Sequence, residues 1–389
     1  MLIRTVRSVL LIIFVTSLIP HLGYALDAGY ERGFYLLSDD KNYKFQFNIR
    51  AQPLHEFVSK ESSIDENSFT LALLRTYFTG HGISPKYQYF LSVEFSKGAG
   101  MNEGYLNLAF TDYFKVIAGR YFIPINREDV FVNTGLQLVD VSIVSDHFGV
   151  NEDYGMEIYG SPLDPLTYYL FVANGGGEKA ATTGKNQNKD LLVGTRLEYN
   201  ILGEQFEYQG DPEISKSPNL GIAGTILYDF GADQETQDFE DFRTQQIDPL
   251  EPALVRGDID SGFSWYGFSL IGQWQYAYNT RVRTIDHGLT AQTGFYVVPK
   301  RIEIAGRWSS VFPDFPFPAL ANTGITAPDD EEEGELGTGM PVHEWVTGLN
   351  SYFRGHDLKL QIDYSQILNV GGARNINDQR VRTQLTFVF

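Results

Sequence analysis

Seven histidines, His21, His55, His81, His147, His287, His343 and His356, are the natural candidates for acid–base or metal chemistry. None stands in a ligand spacing such as His-Glu-x-x-His. Ser145 and His147 come nearest to a nucleophile and its base, but a triad needs a third, orienting group, and a two-residue separation in one loop does not supply it. The chain has no cysteine, which excludes disulfides, thiol catalysis and thiolate metal sites. Gly175-Gly176-Gly177 and Gly371-Gly372 sit in loops with no following helix to hold a phosphate. Asp329-Asp330-Glu331-Glu332-Glu333-Gly334-Glu335 offers the hard oxygens that suit calcium without the spacing of an EF-hand, and reads as a solvated acidic loop. Pro313-Asp314-Phe315-Pro316-Phe317-Pro318 reads as an aromatic-proline loop on a rim. The sequence therefore predicts no enzyme, no metal and no cofactor.

What remains is charge held in particular places, and strands must do the holding. In Arg380–Phe389, Val381, Leu385, Phe387 and Phe389 share one parity, and Arg380, Arg382, Gln384 and Thr386 the other. Alternate side chains of a strand point to opposite faces, so this segment has one apolar and one wet face. Lys44–Gln52 and Lys86–Ser96 alternate in the same way. Further strands are expected at Phe69–Thr79, Glu103–Phe110, Phe114–Ile123, Tyr154–Gly160, Leu166–Ala173, Asp190–Asn200, Leu220–Phe230, Ile259–Tyr266, Phe268–Tyr278, Leu289–Val298, Arg301–Val311, His343–Phe353 and Asp357–Gln366. That makes sixteen, with fourteen and eighteen as the neighbouring even counts.

The connections alternate between short hinges, such as Asp112-Tyr113 and Pro299-Lys300, and long loops, such as Pro124–Asp153 and Pro313–Pro341. Ile201–Asn219 breaks the rule, being long where a short turn belongs. Short turns at one end and long loops at the other predict an all-β, antiparallel transmembrane β-barrel with long extracellular loops.

The front of the chain agrees. Arg4 and Arg7 precede an apolar run from Val9 to Ile19, and Gly23-Tyr24-Ala25 supplies the small residues of a cleavage site, so residues 1–25 read as a signal peptide and 26–389 as one barrel domain. The 23 tyrosines and 28 phenylalanines suit aromatic girdles. The formal net charge of −19, more negative still once Arg4 and Arg7 leave, argues against a nucleic-acid partner; it is compatible with divalent cations bridging to anionic lipid and lipopolysaccharide, and equally with plain solubility, the simpler reading.

Strand parity turns Lys44, Arg50, Lys86, Glu94, Arg196, Glu198, Arg301, Glu303, Arg307, Lys359, Asp363, Arg380 and Arg382 inward, nine basic and four acidic groups. A water-filled barrel focuses their field along its axis. One reading is a basic ladder for anions. The other is that Arg196 with Glu198, and Arg301 and Arg307 with Glu303, pair on one face and brace the wall.

Several passages resemble phosphate-selective porins of the O and P type: Gly33-Phe34-Tyr35-Leu36-Leu37-Ser38-Asp39-Asp40-Lys41, Leu74-Arg75-Thr76-Tyr77-Phe78-Thr79-Gly80, Tyr87–Phe95, Glu103-Gly104-Tyr105-Leu106, and Ile117-Ala118-Gly119-Arg120-Tyr121-Phe122-Ile123-Pro124-Ile125. The resemblance is clearest over 33–160. It implies a sixteen-stranded, homotrimeric outer-membrane channel whose third extracellular loop, Pro124–Asp153, folds into the pore as a constriction. That loop carries Arg127 against Glu128, Asp129, Asp140, Asp146, Glu152 and Asp153, with His147 positive only when protonated. It thus departs from the basic lining the family uses for phosphate. The expectation is passive diffusion of small hydrophilic solutes and ions, with weak cation preference or low selectivity. The alternatives are a phosphate or other anion channel, and a non-conducting barrel acting as an adhesin or lipid-modifying enzyme.

Overall fold

A computed structural model of the chain describes residues 26–60, 63–131, 133–175, 190–204, 206, 208–230, 254–280, 283–314, 340–370 and 377–389. The expected signal peptide, the acidic run 329–335, the second half of the Pro/Phe motif, and Gly176, Gly177, Gly371 and Gly372 lie outside the described residues.

A hairpin of β1 (Leu26–Tyr30) and β2 (Phe34–Ser38) leads into the barrel. The barrel strands are β3 (Lys44–Lys60), β4 (Ser63–His81), β5 (Tyr87–Glu94), β6 (Gly100–Thr111), β7 (Phe114–Phe122), β8 (Glu152–Leu163), β9 (Leu166–Ala173) and β10 (Leu192–Leu202). They continue as β11 (Asn219–Asp229), β12 (Leu254–Trp265), β13 (Phe268–Asn279), β14 (Thr284–Val298), β15 (Ile302–Phe312), β16 (Val342–Arg354), β17 (Leu358–Leu368) and β18 (Asn377–Val388). Each pairs antiparallel with the next, and β18 pairs with β3, so sixteen strands close on themselves. Closure satisfies every ladder and leaves no edge, as a sheet in lipid requires.

Two strands run further than their sequence suggests. β3 continues eight residues beyond Gln52, and β4 begins at Ser63 rather than Phe69. Pro53 interrupts the alternation there. The ladder shifts register between Gln52 and Pro53, the kind of irregularity where a residue without an N–H is tolerated. β12 begins at Leu254 rather than Ile259, because Gly257-Asp258 reads as a turn but lies within the ladder.

The side-chain period separates two faces. On β16, Trp345 is 54 % exposed and its neighbour Val346 is 1 % exposed. Leu106, Leu197, Ile226, Ile259, Ile304, Leu349 and Ile362 point outward with Trp345 and form an apolar exterior band, while Arg196, Gln275, Glu303, Lys359 and Arg382 point inward and are buried. Phe110, Tyr113, Phe114, Tyr266, Phe295, Phe353, Phe387 and Phe389 are exposed around the short-turn end, the position of an interfacial aromatic belt. No helix among the described residues is long and apolar enough to cross a membrane; the strands do the crossing.

Candidate functional site

The connection from β7 to β8, residues 123–151, does not project from the barrel but folds into it. Asn126 caps a one-turn helix, α1 (Arg127–Val130), its side chain accepting from the Asp129 N–H at 3.0 Å. A 3-10 turn, Asn133–Gly135, follows, and Ser142 caps α2 (Ile143–Phe148) by accepting from the Ser145 N–H. Apolar residues pin the loop along its length. Ile123, Ile125 and Val150 pack with Phe171, Leu192 and Leu227, and Leu138 packs with Ala305 and Val346. Ile143, Val144 and Phe148 pack on Val311, Val342 and Ile367. Each such buried side chain contributes about 1.5–3 kcal/mol. The wall makes room for α2 at Gly288 of β14, where a Cβ would lie 2.7 Å from Val144 Cγ1.

Wall side chains then satisfy the loop's backbone. Arg196 and Thr225 donate to the Ile125 carbonyl at 3.0 and 2.6 Å, and Lys359 Nζ donates to Leu136 O at 2.7 Å. Arg307 donates to Asp140 O and Val141 O, and Arg256 to Gly149 O. Carboxylates balance these cations. Arg196 meets Glu198, Asp258 and Asp260, Arg127 meets Asp260 at 2.7 Å, and Arg307 meets Glu344 at 3.1 Å and Glu128 at 3.8 Å. Glu303 accepts from Gln137, Asn350 and Tyr352.

The anomalously long connection on the turn side, residues 203–218, also enters the barrel and meets this loop from below. Gln209 accepts from the Gln137 N–H at 2.9 Å and donates to Glu128 Oε1 at 3.2 Å. Tyr208 stacks on His356 at 4.2 Å, and His356 Nδ1 pairs with the Thr134 carbonyl at 2.9 Å. Burial and the nearby Lys359 push the His356 imidazole down to about 3, so it stays neutral in this contact. The two loops together fill the side of the lumen facing β10 to β17.

A gap of about 1280 Å3 remains between the pore loop and the wall of β3 to β9 and β18. Of the expected site residues, Glu128, Asp129, Asp140, Asp146, Arg50, Arg380 and Arg382 border it. Arg382 bridges Asp363 at 2.9 Å and Asp140 at 3.5 Å. Burial, with Glu128 beside it, pushes the Asp129 carboxyl well above the usual carboxylate range, and burial and the Asp140 charge push Asp146 up to about 6.

The other expected positions lie away from the gap. Arg196, Glu198, Glu303, Arg307, Lys359 and Asp363 face inward as strand parity predicts; Arg196 pairs with Glu198, but Arg307 pairs with Glu344 rather than Glu303, Glu303 is held by Gln137, Asn350 and Tyr352, Asp363 meets Arg382, and Lys359 holds the loop. Arg127 turns from the loop into the wall and is buried against Asp260 of β12, and His147 turns to Asp286 at 3.8 Å. Ser145 bonds Ser142 and Gln273, so Ser145 and His147 serve different partners. Lys86 and Arg301 sit in short turns and are exposed at the mouth, and Lys44 lies over the Tyr35 ring at 5.6 Å. Glu94 pairs with Arg75 at 3.1 Å. Sequence reasoning missed Arg75, Glu56, Glu103 and Glu157, which also border the gap. Glu103 and Arg75 stood in view inside predicted strands, but parity was obscured by the shifts at Pro53 and at Ser92.

No family model matches the chain, and no curated protein is similar to it in sequence. Solved structures are similar in fold. OprB of Pseudomonas putida aligns with a TM-score of 0.60 at 9 % identity, over 90 % of this chain and 95 % of that one. DcaP, an outer-membrane channel of Acinetobacter baumannii, gives 0.52 at 9 % identity, over 91 % and 99 %. OmpT of Vibrio cholerae, an outer-membrane protein in a trimer form, gives 0.52 at 8 % identity, over 89 % and 99 %. The chain shares their closed antiparallel barrel.

Proposed function

We propose that the protein is an outer-membrane porin through which small hydrophilic solutes and ions diffuse passively, as the structural likeness to DcaP suggests. The observation that carries this is the gap itself: a loop fixed inside a lipid-compatible barrel leaves a charged, polar space of about 1280 Å3. We assign the mature chain, after loss of residues 1–25, to the outer membrane as a homotrimer, in keeping with the trimer form of OmpT. Nine acidic and six basic side chains border the gap, and with Asp129 discounted the acids still outnumber the cations, which favours weak cation preference over a phosphate channel.

A second reading has its own support. Arg50 and Arg75 are direct ladder partners, and Arg380 and Arg382 border the same gap from β18. If these outweigh the loop acids, the channel prefers anions and is of the phosphate-selective type. The reversal potential of the refolded protein in a planar bilayer under a KCl gradient, repeated with phosphate, separates the two. A cation-leaning potential with no phosphate block is expected. An anion-leaning potential with block means the arginine wall dominates, and absence of channel steps from folded protein refutes the porin reading.

A further inference from the structure

One wall of the gap carries rings rather than charges. Tyr77 of β4, Phe90 of β5, Tyr105 of β6, Tyr121 of β7 and Tyr169 of β9 all border it. Phe90 and Tyr105 are ladder partners with ring centroids 4.9 Å apart and planes 9° from parallel, and Tyr77 meets Phe90 edge-on at 5.9 Å. Gly119, paired with Tyr105 on the next strand, has φ +141°, and a Cβ there would come 2.7 Å from Tyr105 Cα. Any larger residue would push this ring out of place.

Of the residues that border the gap, four carry a buried polar atom with no hydrogen-bond partner among the described residues: Arg380 Nε on β18 and, beside the rings, the Tyr121 hydroxyl, Glu157 Oε2 and Arg50 Nε. Tyr121 and Glu157 are 3 % and 4 % exposed, and the Arg50 guanidinium lies over the Tyr77 ring at 4.2 Å. Buried polar atoms in native proteins nearly always find a partner, so three beside one stack of rings point to a ligand.

The set of groups selects its chemistry. Arg50 can only donate, the Glu157 carboxylate accepts, and the Tyr121 hydroxyl does both. A simple anion has no donor to offer Glu157 Oε2, and an ammonium has no acceptor to offer Arg50 Nε. A hydroxyl donates and accepts, and so satisfies all three. Aromatic faces in turn suit a ring whose C–H bonds form a flat apolar side. Resting on the porin reading above, we propose that this recess is a binding subsite for neutral, hydroxylated ring solutes, the chemistry of a sugar, within the channel.

Maltose is the probe. Refolded full-length protein is reconstituted in a planar bilayer, and the current through open channels is followed as maltose is added. A saturating fall in current is expected. Glu157→Gln, which keeps the side-chain shape, and Phe90→Ala should each raise the half-blocking concentration at least fivefold. Leu106→Ala, on the outward face, should leave it at the wild-type value. A fall that only tracks solution viscosity, or equal block in Glu157→Gln and Phe90→Ala, overturns the subsite. Saturating block by choline and not by maltose overturns it in favour of an organic-cation site. Channel steps without maltose saturation refute this inference alone, whereas folded protein without steps refutes the porin reading and the subsite with it.

Discussion

Replacing Arg196 with methionine removes the fully buried cation on which the root of the pore loop rests. The guanidinium meets Asp260 at 2.6 Å, Glu198 at 2.8 Å, the Ile125 carbonyl at 3.0 Å and Asp258 at 3.4 Å. In its absence Asp260 keeps Arg127 at 2.7 Å, but Asp258 has no other ion-pair partner among the described residues. Breaking a buried pair from one side costs about 3–5 kcal/mol. Arg196→Met should thus lose about 4 kcal/mol at pH 7. Urea unfolding in lipid vesicles, followed by tryptophan fluorescence, reads this directly. A loss below about 1 kcal/mol, the worth of an exposed pair, would show that charge burial is not what Arg196 offsets.

Two further outcomes follow from the loops. Asp146 borders the gap and titrates at about 6, so it is anionic above that pH and neutral below it. Cation preference should therefore fall as pH drops from 7 to 5, and Asp146→Asn should remove that part of the pH dependence in reversal-potential measurements. Gln209→Leu strips the bonds that tie the turn-side loop to Gln137, Glu128 and Gln292, each unsatisfied buried group costing about 1–3 kcal/mol. Single-channel records should then show more frequent brief closures, and unchanged noise would mean the pore loop holds its place without this support.

The barrel was legible in the sequence because its signal is a period of two, repeated sixteen times. Val381, Leu385 and Phe387 against Arg382, Gln384 and Thr386 need no tertiary information to separate. The strand ends were less so where Pro53 and Gly257-Asp258 imitate turns but sit within ladders. Site residues were harder still. Parity says that Arg196, Arg307 and Lys359 point inward, but not that a loop distant in sequence will lie on them and accept their hydrogen bonds. The aromatic wall was hidden for a related reason. Tyr77, Phe90 and Tyr105 come from three strands, and only the ladder register sets them side by side. The long connection at 203–218 was visible as an exception, and its cause is that it is a second inward loop.

The seam between β18 and β3 joins residues such as Gln384 and Gln52, 332 positions apart along the chain. Such a contact pays its loop-closure entropy before any reward arrives, so sealing is a late and slow event in assembly. Until then β3 is an open edge, the kind of surface on which chains aggregate. The small hairpin of β1 and β2 changes that risk. β2 takes Lys44–Phe47 of β3, the stretch that β18 leaves unpaired, using residues that are near neighbours in sequence. Part of the edge is thus covered by a local contact that forms early, and the waiting strand is shortened to the length that β18 will fill.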